Sequence, residues 1–144
     1  MLLGNYSSKI SPSNRIAVPN LFRKDLGNSF IVAKWYETCL VLVSNQRWEE
    51  LLQRITGKSR VVTQSVRDTD RFILGSAFEI STDAQGRVVL PATLVSFAQL
   101  KDEVVFLGLG DRVEIWSKSV WEERESYIAK HAAELLEKIA TNEQ

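Results

Sequence analysis

Two arginines stand in like positions 72 residues apart, Arg15 closing Ser11-Pro12-Ser13-Asn14-Arg15 and Arg87 closing Asp83-Ala84-Gln85-Gly86-Arg87. Asn14 and Gly86 are of the residue types that best tolerate a positive φ, so each pentad reads as a tight turn handing its arginine to the start of a strand. An arginine on such a tip has two uses with nucleic acid. It can pair bidentately with guanine O6 and N7 in a major groove, worth about 1–3 kcal/mol of discrimination. Alternatively it can pair with a phosphate and position the protein without reading sequence. Lys9, shortly before the first turn, suits a phosphate; Asn14 and Gln85 suit base edges or phosphates. Taken singly, each arginine would read as an ordinary solvated turn residue, and it is the duplication that gives the pair weight. Arg23 and Lys24, following the short helix, read as surface charges.

Other chemistries find little to work with. His131 is the single histidine and falls on a charged helix, where it reads as solvated. A Ser-His-Asp triad would have to use it, and nothing around it resembles a nucleophile elbow. Cys39, the single cysteine, lies in an apolar strand and reads as a small core residue. It rules out an internal disulfide and a multi-cysteine metal site. The seven glycines are scattered, so no loop cradles phosphates. No enzyme, metal or cofactor is expected.

The elements that must position the turns come as a repeat. Leu3-Gly4-Asn5 returns as Leu74-Gly75-Ser76. Asn14-Arg15-Ile16-Ala17-Val18-Pro19 returns as Gly86-Arg87-Val88-Val89-Leu90-Pro91. Ser44 to Glu50 returns as Ser117 to Glu123, at an offset of 71 to 73 residues throughout. Each copy reads as strand, turn, alternating strand, proline stop, short helix and a strand pair. The pairs are Phe30 to Trp35 with Cys39 to Val43, and Val104 to Leu109 with Val113 to Trp116, the latter turning at Gly110-Asp111. This divides the chain into a module at 5–47, a helical linker at 48–75, a second module at 76–119 and a C-terminal helix at 120–144. In the linker, Trp48, Leu51, Leu52 and Ile55 form one stripe ended by Gly57, and Lys58 to Arg71 suits a second helix through Val62 and Val66. The last helix, of about five turns, carries Trp121, Ile128, Ala132, Leu135 and Ile139 along one face, with packing inside the chain as the default and a neighbouring subunit as the alternative. Trp48 and Trp121 read as anchors of their stripes. One module of about 45 residues buries too little to stand alone, so the two are expected to share a core in a closed, barrel-like α+β body with few free edges.

With 44% hydrophobic and 25% charged residues, the composition is that of a globular protein. Neither a membrane span nor a secretory signal is apparent, and a cytoplasmic protein is expected. A net charge of zero argues against a generic polyanion binder, yet the charge is unevenly spread. Residues 1–72 hold 11 Lys/Arg and 6 Asp/Glu, a net of +5, whereas residues 73–144 hold 7 and 12, a net of −5. That permits a basic and an acidic face, or head-to-tail association.

At Asp83 to Arg87 the chain resembles the MraZ family of the SpoVT-AbrB superfamily. Its Asp-x-x-Gly-Arg turn, alternating strand and proline occur twice. Leu3-Gly4, Leu74-Gly75, Glu114-Ile115-Trp116 and Trp121-Glu122 match as well, over about residues 1–125. The resemblance implies two tandem swapped-hairpin AbrB-type modules forming a pseudo-dimeric core. It implies a DNA-binding transcriptional regulator of the bacterial division and cell-wall gene cluster, nucleoid-associated. It further implies binding of short promoter direct repeats in double-stranded DNA by a homo-oligomeric ring. Arg15, Arg87, Lys9, Asn14, Gln85 and Asp83 would form the DNA site. The first turn departs from the pattern, with Ser11 in place of the acid and Asn14 in place of the glycine. Losing the acid removes a charge-assisted bond that would orient Arg15, although Ser11 can still bond the turn backbone. The first turn, in the basic half, is therefore expected to supply affinity and the second a better-defined geometry. The rival on the same fold is an antitoxin-like or scaffold protein-binding module. Antitoxins of this superfamily take their toxin through a tail, and the regular final helix counts against that reading.

Overall fold

The computed structural model describes residues 1–57 and 62–142. Its described residues form eight strands and five α-helices: β1 (Leu2–Lys9), β2 (Arg15–Ala17), α1 (Asn20–Leu26), β3 (Ser29–Lys34), β4 (Leu40–Ser44), α2 (Asn45–Thr56), α3 (Gln64–Ile73), β5 (Phe78–Ser81), β6 (Arg87–Val89), α4 (Ala92–Phe97), β7 (Glu103–Gly110), β8 (Val113–Ser117) and α5 (Lys118–Asn142). The fold is α+β, and every strand pair is antiparallel.

The two halves are interleaved. The main sheet runs β1-β7-β8-β4-β3-β5, so the first strand of the first half lies on the second half and β5 of the second half lies on β3 of the first. The short strands β2 and β6 leave this sheet and pair with each other. Strand pairing among the described residues is thus an open order of six and a ribbon of two.

Alternation along β7 explains how one sheet serves two cores. Val104 and Phe106 join a cluster with Phe22, Phe30, Ile16 and Val88, drawn from both halves. Val105 and Leu107 point the other way, into a cluster with Trp35, Val41, Leu51, Ile73 and Trp116. Strands β4 and β8 are buried along their whole length, the pattern of strands covered on both faces. Each fully buried phenylalanine or leucine contributes roughly 1.5–3 kcal/mol, and neither half holds its own share apart from the other. The shared core expected from sequence is therefore present.

Helices α2 and α3 cover the second cluster. Trp48, Leu52 and Ile55 pack half-buried against it and Leu51 is buried, as the stripe requires. Of the Lys58 to Arg71 stretch, residues 58–61 lie outside the described residues, and the helix beyond them is opened by Thr63, whose hydroxyl accepts from Val66 N at 3.3 Å. Residues 143–144 of the final-helix segment lie outside as well.

Helix α5 differs from expectation. It has 25 residues, about seven turns, and buries none of them. Only Val120 and Trp121 at its start pack on the second cluster, while Tyr127, Ile128, Leu136 and Ile139 remain exposed. The expected packing of the whole stripe inside the chain does not occur. No helix among the described residues is long and apolar enough to cross a membrane.

Candidate nucleic-acid interface

The turns are built by one backbone scheme. Ser11 N donates to Arg15 O at 2.9 Å and Asn14 N to Ser11 O at 2.9 Å; Asp83 N donates to Arg87 O at 2.8 Å and Gly86 N to Asp83 O at 3.0 Å. Asn14 and Gly86 take the positive φ this scheme needs, 64° and 77°. The turns are also stitched to each other: Val18 N donates to Gly86 O at 3.1 Å and Leu90 N to Asn14 O at 2.8 Å. Each turn is thus held by the strand that follows the other.

Ribbon register places both arginines on one face. Arg15 lies opposite Val89 and Arg87 opposite Ala17, with Ile16 and Val88 buried between them. Strand alternation turns Arg15, Ala17, Arg87 and Val89 outward. The arginine α-carbons are separated by about 7 Å along the ribbon and about 5 Å across it. Both line one open depression of ≈ 400 Å³ with Ile80, Ser81, Thr82, Asp83 and Val89.

The two guanidinium groups are held differently. Arg87 Nε donates to Asp83 Oδ2 at 3.2 Å, and a terminal nitrogen bonds Gln85 Oε1. Asp83 Oδ1 accepts from Gln85 N at 2.9 Å and Arg87 N at 3.0 Å. The backbone donation from Arg87, together with that from Gln85 and the Arg87 charge, holds the Asp83 carboxyl below its ordinary value. In the first turn Ser11 Oγ accepts from Arg15 N at 3.1 Å and shares a bond with Ser13 Oγ at 2.9 Å. No side-chain partner is recorded for the Arg15 guanidinium among the described residues. The serine has kept the backbone bond of the acid and lost its grip on the arginine.

Of the other expected site residues, Asn14 is half-buried in its turn and Gln85 is exposed beside Arg87. Lys9 is exposed at the end of β1, opposite Glu103, and does not line the depression that Arg15 and Arg87 share. Arg23, expected as a surface charge, is placed otherwise. This α1 residue is half-buried, with its Nε donating to Val18 O at 3.1 Å and its guanidinium lying over Gly86. The available signal was a paired exchange in the repeat: Gly86 and Arg23 correspond, at an offset of 72, to Asn14 and Val95.

Cys39 lies in the core as expected, whereas His131, expected to be solvated, is half-buried. Cys39 is buried and its thiol donates to Tyr36 O at 3.2 Å. Burial, with help from the Glu114 and Glu37 charges, pushes that thiol far up, away from the reactive thiolate. His131 stacks on Tyr127 and bonds Tyr127 O at 2.8 Å, so it is partly covered by its own helix.

Comparison with known proteins bears on the whole chain. The family model described as "MraZ protein, putative antitoxin-like" matches residues 1–72 and again residues 73–142. A protein named transcriptional regulator MraZ from Thermoanaerobacter sp. (strain X514) is 38% identical over 124 residues, 85% of each chain. One of the same name from Pelotomaculum thermopropionicum is 36% identical over 140 residues, 96% of this chain and 95% of its own. Another, from Moorella thermoacetica, is 39% identical over 124 residues, 85% of each.

Proposed function

The chain belongs to the MraZ family, and we propose that it is a transcriptional regulator, not an enzyme, that reads promoter DNA through the outer face of the β2–β6 ribbon. The observation that carries this reading is the pairing of Arg15 and Arg87 on one exposed face of a two-stranded ribbon. Such a ribbon fits a major groove about 12 Å wide, and two arginines offset along it can meet neighbouring base pairs or flanking phosphates. Arg87, held by Asp83 and Gln85, acts as the base reader of fixed geometry. Arg15, whose guanidinium has no side-chain partner among the described residues, adapts to a base or a phosphate. Asn14 and Gln85 supply short-range polar contacts, and Lys9 a phosphate contact at the margin.

The target is a set of short direct repeats in the promoter of the bacterial division and cell-wall gene cluster, bound by a homo-oligomeric ring in the cytoplasm at the nucleoid. The family membership and the tandem match support this. So do the exposed apolar residues of α5 and the outer sides of β1 and β5, unpaired among the described residues, which leave surface for a second copy. Several ribbons on one ring gain from effective concentration where one would bind weakly.

The halves are read as swapped-hairpin modules of the SpoVT-AbrB kind in a pseudo-dimeric, barrel-like body. The β1–β7 and β3–β5 pairings across halves, the Ile10–Ile16 bridge and the β2–β6 ribbon support that assignment. The boundaries 5–47, 48–75, 76–119 and 120–144 follow from it.

The test is a gel shift and footprint on the chain's own upstream DNA. Protection of repeated short sites, competed by the same sequence and not by scrambled DNA, is the expected result. Equal binding to any sequence would overturn the promoter reading.

A further inference from the structure

One cation beside the ribbon has no counterpart in the other half. Arg23 comes from α1 of the first half and reaches the second half's turn. Its Nε donates to Val18 O at 3.1 Å, and that same residue's N donates to Gly86 O at 3.1 Å. A methyl group added at Gly86 would overlap Arg23 Cζ and a terminal nitrogen, so the guanidinium occupies the space a side chain would fill. Gly86 therefore answers two needs at once, a φ of 77° and a seat for the arginine.

At the equivalent place in the first turn, Asn14 carries a side chain and Val95 packs half-buried against the core. The size and charge of the two positions change together: glycine with arginine at one turn, asparagine with valine at the other. Arg23 forms no ion pair among the described residues, and only its Nε is recorded in a hydrogen bond. Its terminal nitrogens stand one residue from Arg87, on a guanidinium whose orientation is fixed by packing and one bond. Terminal N–H groups of a pre-oriented guanidinium are matched to a phosphate.

We propose that Arg23, seated on Gly86, is a DNA-backbone contact of the second turn, so that the two turns meet DNA unequally. The second presents Arg87 with a phosphate clamp beside it, and the first presents Arg15 without one. This rests on the ribbon reading above. A backbone contact positions without reading, so its loss weakens all sequences alike.

The experiment compares wild type with two neutral variants, Arg23→Gln and Arg23→Met, on a repeat-bearing duplex across a salt titration. Gln retains a donor for Val18 O and Met retains the packing over Gly86. Each variant with an unchanged melting temperature carries the test. The expected result is a plot of log affinity against log salt that is shallower by about 0.9 per engaged copy, with the preference for repeats over scrambled DNA unchanged. Arg23→Lys should restore the slope. A wild-type slope in both neutral variants, or a changed sequence preference, would overturn the proposal. Wild-type protein that binds no DNA would instead overturn the ribbon reading itself, so the two failures are distinct.

Discussion

At the scale of single residues, Asp83 and Ser11 set the two turns apart. Both accept a hydrogen bond from the backbone N–H of the turn's arginine, at 3.0 Å from Arg87 and 3.1 Å from Arg15. Only Asp83 also holds a guanidinium. Because the folded Asp83 carboxyl lies below its ordinary value, the stability it contributes is present above the ordinary aspartate range and is lost as pH falls through the depressed value. Nuclear magnetic resonance of the Arg87 Nε–H should report a held side chain at neutral pH and a loosened one in acid, with Arg15 mobile throughout. Asp83→Asn should remove that acid-dependent step. It should also weaken sequence discrimination more than total affinity, which a competition assay against scrambled DNA would read. An Arg87 signal already mobile at neutral pH would contradict the tether. Cys39 should resist thiol reagents in the native protein, since its thiol is buried and far from ionising.

At the scale of elements, the ribbon depends on β1 lying close along β7. Gly108 faces the β1 backbone so closely that an added Cβ would meet Leu3 N at 2.5 Å and Leu2 C at 2.7 Å. Backbone cannot swing aside as a side chain can. Gly108→Ala should therefore lift β1 from β7 and destabilise the fold by about 1–3 kcal/mol, the usual cost of overpacking. A denaturant melt and faster hydrogen exchange along β1 would show it; an unchanged melt would mean β1 is held less tightly than the register implies. Much of this level was legible beforehand. The prolines ending β2 and β6, the Gly110-Asp111 turn and the α2 stripe are short-range signals, and they fall where the repeat placed them. That the two halves interleave was expected, but the strand order was less legible, because alternation tells which face of a strand is buried and not which strand lies beside it. Arg23 was hidden for the same reason: its seat, Gly86, is 63 positions away in the sequence. The α5 stripe does not take its default packing inside the chain, since an apolar face marks what can be covered and not what covers it.

At the scale of the whole molecule, the shared core and the exposed helix make separate claims. The first cluster draws Phe22 and Phe30 from one half and Val88 and Phe106 from the other, so a fragment of residues 1–57 should be unfolded by circular dichroism. Ending the chain after Lys130 removes exposed Leu136 and Ile139 and spares Trp121. It should leave the melting temperature nearly unchanged and reduce the mass seen by light scattering, the outcome expected of the proposed assembly. The central claim remains the ribbon face. Fluorescence anisotropy of the full chain on a labelled promoter duplex, with Arg15→Ala, Arg87→Ala and the double variant, tests it most directly. Each single variant should weaken binding by about 10-fold or more, in line with roughly 1–3 kcal/mol for an arginine contact, and the double variant should bind no better than to scrambled DNA. Full affinity in a folded double variant would contradict the account.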